Sequence, residues 1–229
     1  MKKILLIATV QSHICQFHKP LVAMLHEHGC EVHVAARNNL AEKNGLKLDF
    51  VEQVFDVPFQ RSPFSPKNLG AYKKLKKIID EGSYNVIHCN TPVGGVLGRL
   101  AARKARKHGT RVFYTAHGFH FYKGAPKKNW LIWYPVEKFM CRYTDKLITI
   151  TQEDYDLASA KFHTQVERIH GVGANSAKYR KLSEAECAEL RHEFGYADDD
   201  KLLLCTGELL TNKNQITAIR AMKSLREQQ

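Results

Sequence analysis

No apolar run in the 229 residues approaches the roughly 20 that a membrane-spanning helix needs. The opening Met1-Lys2-Lys3-Ile4-Leu5-Leu6-Ile7 is basic and then apolar. Gln11, Ser12 and His13 end the run too early for a secretory signal, and no small-residue cleavage site follows. Cysteine is sparse and unpatterned: six residues, at 15, 30, 89, 141, 187 and 205, form no C-x-x-C pair and no zinc spacing. A chain this long does not depend on disulfide staples, so reduced thiols and a cytoplasmic protein are expected, soluble or peripheral on the inner face of the cell membrane. Acidic residues are in deficit, 23 against 35 Lys and Arg, for a net charge of +12. That balance favours anionic partners such as nucleic acid, phosphorylated metabolites or an anionic membrane face. Helix-turn-helix, zinc-finger and aromatic ribonucleoprotein signatures are all missing and the cations are spread over several helices, so nucleic acid is not expected. The turn after the first apolar run contains no glycine, which counts against a nicotinamide or flavin site of the G-x-G-x-x-G kind.

What is present, 44% hydrophobic and 25% charged residues, is an ordinary globular composition. Short β-branched or leucine-rich runs alternate with longer amphipathic stretches, the pattern of strand-helix-strand units building a parallel sheet. Eight strands are expected, at 4–10, 31–36, 50–57, 85–89, 111–116, 146–150, 166–170 and 202–206. The fold class is therefore α/β, a Rossmann-like parallel sheet with helices on both faces. Helical patterns run over 17–28, stopping at Gly29, over a stretch with Leu69, Tyr72, Leu75 and Ile79 on one face, and over 93–108, stopping at Gly109. In the last of these, Val93, Val96, Leu97 and Leu100 point inward and Arg99, Arg103 and Arg106 form a basic face. Lys73, Lys74, Lys76 and Lys77 give the preceding helix a similar one. Trp130, Trp133, Tyr134, Phe139 and Met140 share a helical stretch that Pro135 should kink or split. Its aromatics suit either core packing or an interfacial membrane patch. Helices are also expected over 184–194 and about 214–227, with a domain boundary near 171–175. Residues 1–170 then form one Rossmann-like domain, and 171–229 supply a linker and the first strand-helix unit of a second, truncated one.

In an open parallel sheet ligands sit at the carboxyl ends of the strands, so the loops there carry the chemistry. The first is Gln11 to His18, containing His13 and His18. The third is 58–66, three prolines around Arg61. After the fourth come Asn90, Thr91 and Pro92, where Thr91 can cap a helix whose start can also hold an anion. The fifth, 115–124, contains His117, Gly118, His120 and Lys123. His117 and His120 lack a third ligand nearby in sequence, so no metal is expected. A histidine at a strand terminus beside a glycine suits hydrogen bonding to a sugar or phosphate. After the eighth strand, Gly207 and Glu208 precede Lys213 at a helix start, where a diphosphate can be neutralised.

These loops resemble the amino-terminal half of family 4 glycosyltransferases, which have the GT-B architecture of two Rossmann-like domains. The carriers are Ala8-Thr9-Val10 with His13 and Phe17-His18, Arg61-Ser62-Pro63-Phe64, and His88-Cys89-Asn90-Thr91-Pro92. Further on they are Thr115-Ala116-His117-Gly118-Phe119-His120, residues 145–150, His170-Gly171-Val172-Gly173, Gly207-Glu208-Leu209 and Asn212-Lys213-Asn214-Gln215. The resemblance is to the branch that makes bacterial capsule, exopolysaccharide and lipid-linked oligosaccharides. It implies retaining transfer of a sugar from a nucleotide-diphosphate donor, with no cofactor and no required metal. His117 then faces the donor sugar, and Lys213, with Gly207 and Glu208, meets the diphosphate. His13, His18, Arg61, Asn90, Thr91, His120 and Lys123 fall on the acceptor side, where a lipid-linked saccharide or oligosaccharide and an anionic membrane surface are the implied partners. Many family members carry arginine where this chain has Glu208, and no two glutamates here have the family's donor-binding spacing. The 229 residues alone are therefore expected not to turn over.

Overall fold

A strand buried on both faces must be apolar throughout, and β1 (Lys2–Val10) meets that demand with six consecutive buried residues from Ile4 to Thr9. Its side chains alternate between two cores. Leu5 and Ile7 join Ile87, Cys89, Val112 and Tyr114 on one face, while Ile4, Leu6 and Ala8 join Val32, Val34, Ile14 and Val22 on the other. The computed structural model describes residues 1–43, 45–173, 179–209 and 213–226, in two compact units, Met1–Ala174 and Asn175–Gln229. In the first unit β1 is joined by β2 (Cys30–Arg37), β3 (Gln53–Asp56), β4 (Val86–Asn90), β5 (Arg111–Ala116), β6 (Lys146–Thr149) and β7 (Gln165–Arg168). All pairings are parallel and the order is β3-β2-β1-β4-β5-β6-β7. The chain leaves β1 toward β2 on one side and returns to pair β4 on the other, so a topological switch point lies between β1 and β4.

The helices follow from the same alternation, with some corrections. Where a loop at 11–18 and a helix at 17–28 were expected, α1 (Gln11–Phe17) starts directly after β1 and α2 (Lys19–Glu27) follows after His18. Pro20, in the first turn of α2, has no N–H to continue α1, which accounts for the break. The expected helix 93–108 is two, α4 (Pro92–Ala101) and α5 (Arg103–Lys107), and α3 (Asn68–Gly82) precedes β4. Gly29 and Gly109, at φ +68° and +100°, end α2 and α5 as expected. α6 (Lys127–Met140) is not split by Pro135, and α7 (Gln152–Lys161) links β6 to β7.

Glycine sets the fit of α4 on the sheet. A Cβ at Gly98 would lie 2.6 Å from Cys89 Sγ, and one at Gly95 2.5 Å from the Tyr114 ring. The helix backbone thus approaches β4 and β5 as no larger residue would allow. Arg99, expected on a basic face, is wholly buried instead. Its guanidinium lies 3.9 Å from the Tyr114 ring centroid, Nη2 donates to Glu137 Oε2 at 2.8 Å and Nε to the Gly95 carbonyl at 2.9 Å. α6 covers the first half of the helix, so only Arg103 and Arg106, beyond the break at Ala102, keep outward positions.

The second unit contains α8 (Glu184–Glu193), started by a Ser183/Glu186 capping box, and α9 (Gln215–Arg226). The expected strand at 202–206 does not form. Leu202, Leu203 and Leu204 are 49%, 71% and 87% exposed, and the unit offers no other strand among its described residues for them to pair with. Residues 174–178, 210–212 and 227–229, which include parts of the expected domain boundary, donor loop and last helix, lie outside the described residues. No described helix is long and apolar enough to cross a membrane.

Candidate functional site

Three strand ends meet at the switch point. β1 leads into α1, which carries His13 and is followed by His18, β4 ends at Asn90 with Thr91 next, and β5 ends one residue before His117. α1 cannot cap itself, since Val10 occupies its cap position. Asn39 replaces the cap from the end of β2: its Oδ1 accepts from Ser12 N–H at 3.1 Å and its Nδ2 donates to Ser12 Oγ at 2.9 Å. Thr91, expected as the cap of α4, does not perform that role either. Held at φ +63°, it turns its hydroxyl to β1, where Oγ1 accepts from Thr9 N–H at 3.0 Å and lies 2.7 Å from Thr9 Oγ1. Capping is exchanged for a tie between the two strands that flank the switch point.

The imidazoles converge there. His13 Nε2 lies 3.3 Å from His117 Nε2, Asn90 Oδ1 is 3.0 Å from His18 Nε2 and 3.4 Å from His117 Nε2, and His88 Nε2 reaches Thr115 Oγ1 at 2.7 Å. One ring nitrogen each of His13, His18 and His117 falls within 4.8 Å of the others. Burial pushes His13 down to about 3, helped by the neighbouring His117 and His18, and His117 down to about 4, helped by His18. Burial also lowers His18, opposed by its contact with Asn90, and takes His88 to about 3. At neutral pH all four are uncharged, so they act as hydrogen-bond or lone-pair donors and not as cations. Asn90 is fully buried and His18 nearly so, whereas His13 and His117 are half-exposed beside the Phe17 ring. The third partner that sequence spacing did not supply to His117 thus arrives from α1, and His120 is not part of the group.

His120 is exposed and stacks on Trp133 of α6, centroids 5.1 Å apart, and both line a cavity of about 230 Å³ with Thr9, Arg61, Pro63 and Pro92. Arg61 is exposed there. Lys123 is exposed and its backbone N–H donates to Glu153 of α7. Asp154, next along, accepts from Phe119 N–H at 3.3 Å, so the 117–124 loop hangs from the first turn of α7, which Thr151 caps. Trp133, His88 and Asn39 join the site although the sequence did not assign them to it. Trp133 had the visible signal of an aromatic one helical turn from other aromatics, and His88 that of a polar residue inside an apolar strand. In the second unit Gly207, at φ +141°, lies against Lys213, whose Cγ would be 3.6 Å from an added Cβ, and Gln215 Nε2 donates to the Glu208 carbonyl at 3.0 Å.

Residues 3–151 match the family described as glycosyl transferase 4-like. EpsD of Bacillus subtilis (strain 168), a glycosyltransferase by name, is 50% identical over 228 residues, 99% of this chain and 58% of the relative. The UDP-Gal:alpha-D-GlcNAc-diphosphoundecaprenol alpha-1,3-galactosyltransferase of Escherichia coli is 25% identical over 196 residues, 83% of this chain and 50% of that protein. The chain therefore spans about half the length of the curated relatives it matches. Among solved structures, Anabaena HepE in complex with UDP and glucose superposes with a TM-score of 0.54 at 19% identity, over 85% of this chain and 50% of its own. That likeness is one of fold.

Proposed function

Since this chain belongs to the glycosyl transferase 4-like family, we propose that it serves a retaining, metal-independent transfer of a sugar from a nucleotide-diphosphate donor to a lipid-linked saccharide in surface polysaccharide synthesis. The observation that carries the reading is the meeting of His13, Asn90 and His117 at the switch point, where an open parallel sheet binds its ligand. His117, neutral and half-exposed, offers a hydrogen bond to the donor sugar. Asn90 and His18, buried and bonded to each other, hold it in place. Lys213, with Gly207 and Glu208, is assigned to the diphosphate, whose developing charge needs fixed positive groups when no divalent ion is present. The cavity of Arg61, His120 and Trp133 suits the acceptor, an aromatic face for a sugar ring beside a cation for a phosphate. The Escherichia coli relative, by its name, acts on a diphosphoundecaprenol-linked sugar, which supports the lipid-linked class. These residues contain no glutamate pair of the family's donor-binding spacing, so we assign turnover to a longer protein.

The test takes the protein at the full length of its relatives, a panel of nucleotide sugars and a polyprenyl-diphosphate sugar acceptor, with product anomers read by nuclear magnetic resonance. Transfer with retention is expected, undiminished by chelator. The His117→Ala variant should lose at least 100-fold in turnover while its circular dichroism and melting curve stay close to wild type, about the range of a lost positioned group. Inverted product, or a variant within a few-fold of wild type, removes the mechanism or the residue respectively.

A further inference from the structure

The hydrogen bonds available to the imidazole cluster do not satisfy it. His117 Nε2 has either one proton to share between Asn90 Oδ1 at 3.4 Å and His13 Nε2 at 3.3 Å, or a lone pair that accepts from His13 and leaves Asn90 unmet, and neither tautomer serves both contacts well. His18 has Nε2 on Asn90, while its Nδ1 is buried and meets no side-chain partner. The cluster thus holds imidazole nitrogens whose hydrogen bonds are long, shared or missing.

Its dimensions match another occupant. A tetrahedral zinc centre with Zn–N bonds of about 2.0–2.1 Å separates its nitrogens by about 3.3–3.4 Å. The His13–His117 separation is 3.3 Å, and the widest separation in the group, within 4.8 Å, closes with a side-chain movement of the order of an ångström. The donor set is nitrogen only, which selects zinc, cobalt, nickel or copper over magnesium or calcium. An ion bound through His117 Nε2 would replace the contacts that His13 and Asn90 make with that nitrogen. His13 and His117 remain half-exposed, which leaves an entry path and an open fourth position.

We propose that His13, His18 and His117 form a binding site for a transition-metal dication of the zinc class, with three imidazole ligands and one position open to the cleft. The inference concerns binding alone and stands whatever reaction the cleft supports. An ion held there would occupy the nitrogen that His117 otherwise presents to a ligand, so it would act on the cleft as an inhibitor and not as a reactant.

The test titrates the purified, tag-free chain with cobalt chloride and reads the visible absorption that separates four- or five-coordinate Co²⁺ from the pale six-coordinate aquo ion. One equivalent with an intense band is expected, displaced by zinc. His13→Gln and His117→Gln should each weaken binding at least 10-fold, while His120→Gln, outside the cluster, should leave it unchanged. His18→Gln should act likewise to the first two; if it unfolds, the half-exposed His13 position decides the matter, with folding checked by circular dichroism. Absence of a band with folded protein overturns the proposal, as does a band that survives both the His13 and His117 changes, since the ion would then lie on surface histidines elsewhere.

Discussion

At the scale of single residues, the buried pair of Arg99 and Glu137 shows how charge is managed inside this sheet. Arg99 is fully buried and Glu137 nearly so, and the guanidinium is met by a carboxylate, a carbonyl and an aromatic face. Removing one partner leaves an uncompensated buried charge, whereas replacing both by apolar groups does not. Glu137→Ala should therefore cost about 3–5 kcal/mol in urea unfolding, and adding Arg99→Met should recover most of it. If the double variant is no more stable than the single, packing and not charge dominates. No local pattern signals this pair: Arg99 shares a helical face with Arg103 and Arg106, and only the cover of α6, contributed from 38 residues further on, buries it. The same limit applies to the candidate site. His13, His18, Asn90 and His117 are each legible as polar residues at strand ends, but the contacts that unite them span 104 and 72 residues, a separation no local spacing reports.

At the scale of elements, close approach and charge each leave a testable mark. Gly98 and Gly70 are both helical glycines, yet a Cβ at Gly98 meets Cys89 Sγ at 2.6 Å and Ile7 Cδ1 at 3.1 Å, while one at Gly70 meets nothing within 4 Å. Gly98→Ala should destabilise, by about 1–3 kcal/mol, through displacement of α4. Gly70→Ala should stabilise by about 0.5–1 kcal/mol through helix propensity. Thermal melts that move in the same direction would contradict this reading of the α4 seat. Asp145 joins α5 to the sheet, accepting from Arg106 at 2.9 Å and from Val112 N–H at 2.7 Å. Burial works to raise its carboxyl, but these bonds outweigh it and hold the group below its ordinary 3.8. A depressed carboxylate contributes stability above its unfolded value and loses it as pH falls through the folded one. The contribution should be intact at neutral pH and fade below about 3.8, and Asp145→Asn should flatten that part of an unfolding-against-pH curve. Parallel strands and most helices are legible because a strand buried on both faces needs a short continuous apolar run and a helix on the sheet needs an apolar stripe. The break at Pro20 is visible in the sequence yet outweighed by the polar run before it, and the strand at 202–206 fails because a strand also requires a partner, which its own apolar run does not encode.

At the scale of the whole molecule, the question is what the excess of 12 positive charges meets. The basic basin of about 430 Å³ is lined by Lys76, Arg103, Lys104, Arg106, Lys107 and Arg142. Since α5 ends where β5 begins, this basin lies toward the amino ends of the strands, away from the crevice. α6 is different. Leu131, Ile132 and Phe139 are 80%, 40% and 44% exposed on it, spaced as one outward stripe and accompanied by exposed Lys127, Lys128 and Lys138. Its two tryptophans, expected either in the core or in an interfacial patch, pack toward the core, so any membrane contact falls to the stripe of Leu131, Ile132 and Phe139. An apolar stripe bordered by lysines is the pattern of a helix lying in a lipid interface, and Trp133 on the same helix reaches the proposed acceptor cavity. A lipid-linked acceptor would then be met by the element that touches its membrane. Vesicle flotation should find the protein on phosphatidylglycerol-containing vesicles and largely absent from pure phosphatidylcholine. With about 1 kcal/mol for each lysine near an anionic surface, Lys127→Gln, Lys128→Gln and Lys138→Gln together should weaken binding by roughly 100-fold and remove most of its salt dependence. Leu131→Ser with Phe139→Ser should weaken it while leaving the salt dependence in place, because charge still draws the helix to the surface but no apolar side chain enters it. Binding that ignores lipid charge, or that survives both sets of changes, would detach α6 from the membrane and return its stripe to an ordinary exposed helix face.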